Sequence, residues 1–166
     1  MKNFFKFFIE KNENIVAIPY LQEDQKKYFR FVKEQYEKGS RQIIITSKIM
    51  LKVLEEYFLN KKFRIVEIKF AEEDLELNQE IEKYLEEVEK DRGCFFKLLN
   101  KLEVIANNSS IDIEKIELVS SKRINEAYTS FSLKVNGIVI IDGNTIENDI
   151  NSIIKNIKEN IYSWNI

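Results

Sequence analysis

The stretch RQIIITSK, Arg41 to Lys48, decides how the chain is read. Three consecutive isoleucines after Arg41 and Gln42 read as a strand apolar on both faces, as in the middle of a covered sheet. SKIMLKVLEEYFLN follows as a helix with Ile49 or Met50, Val53, Leu54, Tyr57 and Phe58 inward. KFRIVEIKF then supplies another strand. Upstream, NIVAIPY (Asn14 to Tyr20) is a β-rich run closed by Pro19, and QEDQKKYFRFVKEQYEKG places Tyr28, Phe29, Val32 and Tyr36 on an apolar helical stripe that Gly39 stops. Strand, helix, strand, helix, strand over residues 14–70 predicts a parallel, Rossmann-like βαβαβ unit with right-handed crossovers.

Outside that unit the chain divides into three parts. Residues 1–13 carry Phe4, Phe5, Phe7, Phe8 and Ile9 around Lys6. This is a poor signal peptide, too short to span a bilayer, and reads as an amphipathic helix docked on the domain. Residues 71–106 form an acidic helical segment, with Leu77, Ile81, Tyr84, Leu85 and Val88 inward, a break at Asp91-Arg92-Gly93, and Phe95, Leu98, Leu99, Leu102 and Ile105 beyond it. Asn107 to Ser110 reads as a loop. Residues 111–166 give strands IEKIELVSS and AYTSFSLKV and then VNGIVIID. There Asn136-Gly137 suits a two-residue type I′ hairpin turn, and Ile138 to Ile141 belongs inside a sheet. A closing helix starts near Asn144, with Glu147 in a capping-box position, and buries Ile146, Ile150, Ile153, Ile154, Ile157 and Ile161. The expectation is a single α/β domain over residues 1–166.

At 166 residues, 44% hydrophobic and 33% charged, the chain is long enough for one core. Four Gly and one Pro leave little material for a linker. The wealth of Ile, Lys, Asn and Glu suggests an AT-rich bacterial, phage or plasmid genome. One cysteine, Cys94, precludes an internal disulfide framework and fits a reducing, cytoplasmic setting. The absence of histidine excludes His-dependent triads, HNH and HD sites and His-ligated zinc, because no other side chain titrates near neutrality without a strong shift. Residues 1–70 hold 15 Lys and Arg against 9 Asp and Glu, and residues 71–106 hold 5 against 11. The split either offers faces to charged partners or draws the two segments together.

Four groups of residues are candidates for chemistry. Thr46, Ser47 and Lys48 stand beyond a strand's carboxyl end, where a helix N-terminus can hold an anion, although Thr or Ser there is also an ordinary helix cap and no glycine-rich phosphate loop accompanies them. Glu67 and Lys69 alternate onto one face of their strand, where a carboxylate can hold Mg²⁺ beside an ammonium. Asp142 ends a strand, with Glu147 and Asp149 near the next helix start. Lys26, Lys27, Arg30 and Lys33 share one helix and, with Arg41 and the loop cations Lys61, Lys62 and Arg64, form a possible basic surface for phosphate backbones.

Two resemblances attach to these segments. EKGSRQIIITSKIMLKVLEEYFLNKKFRIVEIKF, Glu37 to Phe70, looks like the opening of the second RecA-like domain of superfamily 2 helicases over about a fifth of the chain. That family's arginine motif has no counterpart here. Glu67-x-Lys69 is similar to the Glu-x-Lys pair of PD-(D/E)XK nucleases, but the acidic residue that family carries on the preceding hairpin strand is missing from RQIIIT. The expected function is therefore a small non-catalytic binding or regulatory protein acting through protein or nucleic-acid contacts, with no cofactor and no membrane span. Its surfaces are the charge split and the N-terminal aromatic cluster. The alternative is a Mg²⁺-dependent phosphoesterase or nuclease-like enzyme using Glu67, Lys69 and Asp142.

Overall fold

A computed structural model describes residues 2–21, 24–108, 111–120, 129–143 and 145–162. The elements in chain order are β1 (Asn3–Ile9), β2 (Ile15–Pro19), α1 (Gln25–Glu37), β3 (Arg41–Gln42), α2 (Ser47–Leu59), β4 (Phe63–Phe70), α3 (Leu75–Lys90), α4 (Phe95–Asn108), β5 (Ile113–Ser120), β6 (Ser130–Lys134), β7 (Ile138–Asp142) and α5 (Ile146–Tyr162). Asn144, Ser109, Ser110, Ala127 and Tyr128, and the side chain of Ile161, lie outside the described residues, while Asn107 and Asn108 belong to α4 and not to a loop.

The parallel βαβαβ unit does not form. Among the described residues the strands make one seven-stranded sheet, β2-β1-β7-β6-β5-β4 with β3 also on β1, and every pairing is antiparallel. The N-terminal aromatic segment overturns the expected arrangement, because it is a strand and not a docked helix. β1 pairs β2 through Phe5 to Ile9 along one edge and β7 through Asn3 to Lys6 along the other. FFKFFI satisfies a strand's alternation as well as a helix's spacing, and aromatic residues fill pleated, two-sided positions well. Phe7 and Phe8 are fully buried on opposite faces and Phe4, Phe5 and Ile9 are half-buried, so this cluster is mainly core.

RQIIIT is likewise not a central strand. Only Arg41 and Gln42 pair, antiparallel to Ile9 and Phe8. Ile43 and Ile45 are buried while Ile44 is 71% exposed, so the run alternates where it was read as apolar on both faces. The segment leaves β1 because the β6–β7 turn wedges in: Phe7 N donates to Gly137 O at 2.9 Å and Ile45 N donates to Val135 O at 2.8 Å. The hairpin forms at Asn136-Gly137, but not through a two-residue type I′ turn. Only Gly137 takes a positive φ, +81°, and Gly137 N bonds Lys134 O at 3.0 Å, the pattern of a three-residue loop ending in a left-handed glycine. A Cβ on Gly137 would lie 2.7 Å from Ile43 O, so the close passage of RQIIIT also requires glycine.

One face of the sheet carries the main core, where Val53, Leu54, Tyr57 and Phe58 of α2, Leu98 and Leu102 of α4, and Ile153 and Ile157 of α5 meet Phe7, Ile65, Ile116, Phe131 and Ile141. Leu77, Ile81 and Val88 bury α3, and a short 3-10 turn at Arg92–Cys94 separates it from α4. On the other face α1 caps a small aromatic layer beside β1, β2 and β3. The Phe31 ring stacks on Tyr20 at 5.4 Å and meets Phe8 edge-on at 5.7 Å. Lys6 points into this layer with no exposed surface, donating to the backbone oxygen of Asn136, its ammonium 5.6 Å from the Tyr28 ring. Burial pulls its pKa down to about 8. The charge split brings parts of the chain together at one point at least, where Arg64 of β4 lies 3.5 Å from Glu89 of α3.

Candidate nucleic-acid interface

The residues singled out for metal and phosphate chemistry are scattered and already engaged. Thr46 caps α2, its Oγ1 accepting from Ile49 N at 3.3 Å, and the buried Ser47 hydroxyl accepts from Ile113 N at 3.0 Å, tying α2 to β5. Neither aims at an anion. Lys48 is exposed beside Lys52 and Glu55. Glu67 and Lys69 do share the sheet's outer face. They pair across the strand boundary, Glu67 with Lys115 at 3.3 Å and Lys69 with Glu114 at 3.4 Å. A β-bulge between Ile65 and Glu67 shifts the pleat, so that Phe63, Ile65, Ile68 and Phe70 point inward and Val66 is exposed. Asp142 ends β7, three strands from β4, and three spacings of about 4.8 Å put it roughly 14 Å from Glu67. A Mg²⁺ ion reaches ligands at about 2.1 Å, so these two carboxylates cannot share one. Among the described residues no three Asp, Glu or Cys side chains gather to hold a metal ion.

The basic helix is different. α1 begins at Asp24, whose carboxylate accepts from Lys27 N at 2.9 Å, and ends at Lys38 and Gly39, which takes φ +93°. Its sequence carries two aromatic stripes, and the inward one is not the stripe the spacing suggested. Tyr28, Phe31, Val32 and Gln35 face the sheet, whereas Phe29 is 60% and Tyr36 71% exposed. At 100° per residue, Lys26, Phe29, Arg30, Lys33 and Tyr36 fall within about 120° of one another on the outer side. All five are exposed. The face runs about 15 Å from Lys26 to Tyr36 at 1.5 Å per residue. Lys27 is exposed to one side of it.

At its far end the face opens into a cleft of about 540 Å³ between the β1–β2 turn and the α1–β3 connection. Tyr36 belongs to both. Lys11, Ser40 and Arg41 line the cleft with Glu10 and Glu37. Gly39 lets the Lys11 stem cross the end of the helix, since a Cβ there would lie 2.4 Å from Lys11 Cε. Arg41, expected in the basic surface, thus sits in this cleft. Lys61, also counted there, lies instead against α5, with Nζ 2.6 Å from Ser152 Oγ and 4.2 Å from the Tyr57 ring centroid. Sequence reasoning missed the exposed aromatics because Tyr28, Phe29, Phe31, Val32 and Tyr36 support two helical stripes, and only the partners on the sheet decide between them. No family model matches the chain, and no curated protein or solved structure matches it either.

Proposed function

We propose that this chain is a non-catalytic binding protein that holds single-stranded nucleic acid along the exposed face of α1. The observation that carries the reading is the exposure of Phe29 and Tyr36, one turn on either side of Lys33, with Lys26 and Arg30 beside them. Cations track a phosphate backbone, and aromatic rings between them give bases a surface to stack on, which only unpaired bases can use. Within α1, 4 Lys and Arg stand against 2 Glu, which favours a polyanion. The dispersal of Glu67 and Asp142 supports binding without chemistry.

Fluorescence anisotropy with labelled single-stranded and duplex DNA and RNA tests this. Single strands bind in preference to duplex. With about four phosphates neutralised, the logarithm of affinity falls with the logarithm of salt concentration at a slope near −3. Phe29→Ala and Tyr36→Ala each weaken binding roughly 5- to 150-fold, the range for one lost stacking contact. They leave stability within about 0.5 kcal/mol, since neither ring is in the core. Duplex preference, or unchanged affinity in the double variant, overturns the proposal.

A further inference from the structure

We infer that the cleft at the end of α1 is a subsite for a terminal nucleotide carrying a phosphate, an inference that rests on the strand-binding reading of α1. Ser40 is only 8% exposed and lines the cleft, yet its hydroxyl meets no hydrogen-bond partner among the described residues. Among the described residues no side-chain nitrogen or oxygen is both buried and unpartnered, so this hydroxyl is itself open to the cleft, where it can donate to an acceptor supplied from outside. Lys11 and Arg41 line the same cleft, and neither makes an ion pair among the described residues. One hydroxyl donor with an ammonium and a guanidinium is a donor set suited to phosphate oxygens.

The remaining lining says what the phosphate is attached to. Tyr36 is the last ring of the α1 face and the wall of the cleft, so a base stacked on it brings its own phosphate toward Ser40. Glu10 and Glu37 are acceptors only and suit the exocyclic amino group of cytosine, adenine or guanine, which uracil and thymine lack. The cleft's volume lies within the roughly 300–1,000 Å³ of small-ligand sites.

The experiment compares labelled strands that end in a phosphate or a hydroxyl, and in cytidine or uridine, together with titrations of free cytidine monophosphate, uridine monophosphate and cytidine. A terminal phosphate tightens binding by about tenfold or more, as hydrogen bonds to a charged group do, and cytidine exceeds uridine at that end. In Ser40→Ala and in Lys11→Gln the ratio of phosphorylated to unphosphorylated affinity falls toward one. If strands bind with the expected salt dependence but the terminal group makes no difference, the subsite is overturned and the α1 reading stands. If cytidine monophosphate binds more tightly than cytidine while no strand binds, the subsite stands and the α1 reading falls. Neither strand nor nucleotide binding overturns both.

Discussion

Replacing Lys6 with methionine should stabilise the protein at neutral pH, and the size of the effect follows from where the ammonium sits. Lys6 has no exposed surface, bonds one backbone carbonyl, and otherwise faces the rings of Phe8 and Tyr28 at 6.0 and 5.6 Å. No carboxylate pairs with it among the described residues. Burial lowers its pKa from 10.5 to about 8. Between those values the unfolded chain holds a proton that the folded chain releases, so stability rises with pH across this window, and the penalty for the buried charge is fully present below pH 8. At 1.36 kcal/mol per unit the whole shift amounts to about 3 kcal/mol. Asn136, which supplies the carbonyl, is exposed, so water screens part of the charge, and the lost hydrogen bond offsets part of the gain. A net gain of about 2 kcal/mol for Lys6→Met below pH 8 is expected, shrinking toward zero above pH 10.5. Tyr20, pushed up to about 12, and Tyr28, also raised, stay neutral through most of the window and do not confuse the comparison. Urea unfolding of both proteins between pH 6 and about pH 11 measures the difference directly. Parallel stability curves, or a variant less stable at pH 6, would refute the reasoning.

Three further substitutions test the packing. Ser47→Ala leaves the buried Ile113 N–H without its acceptor and should cost about 1–3 kcal/mol by urea unfolding, while strand binding is unchanged because Ser47 faces β5 and not a ligand. Gly137→Ala forces a side chain into a positive φ and against Ile43 O, and a loss of more than about 1 kcal/mol, seen as a lower thermal midpoint, is expected. Glu67→Gln breaks only a half-exposed ion pair with Lys115; it should cost about 0–1 kcal/mol, and high salt should erase the difference.

What the sequence disclosed about the fold depended on whether a segment's partner was local. The helices carried their own evidence, as in α2, where Val53, Leu54, Tyr57 and Phe58 repeat at helical spacing and all four are buried. The hairpin at Asn136-Gly137 was legible for the same reason, its turn and both strands lying within the 13 residues from Ser130 to Asp142. Parallel against antiparallel pairing was not legible, because it turns on Asn3 to Lys6 finding β7 some 130 residues away. With β1 read as a helix, RQIIIT was left as the strand to fill the centre. The TSK that follows supplies the helix cap at Thr46, and among the described residues no parallel strand end precedes it.

The same dependence explains why the candidate interface was only half visible. The cations of α1 were countable from the sequence, but an aromatic residue on an amphipathic helix ordinarily belongs to the core. α1 has rings for two faces and a sheet on one. Tyr20 and Phe8 receive Phe31, and that choice turns Phe29 and Tyr36 outward. A single exposed apolar residue is common and needs no explanation. Two rings on one helical face, with cations between and beside them and a cleft at one end, are the arrangement on which the proposed strand binding rests. The exposed rings contribute nothing to the core, so truncating them should leave stability almost unchanged while weakening strand binding. That contrast between unchanged stability and lost affinity is what separates a binding face from a leftover of core composition.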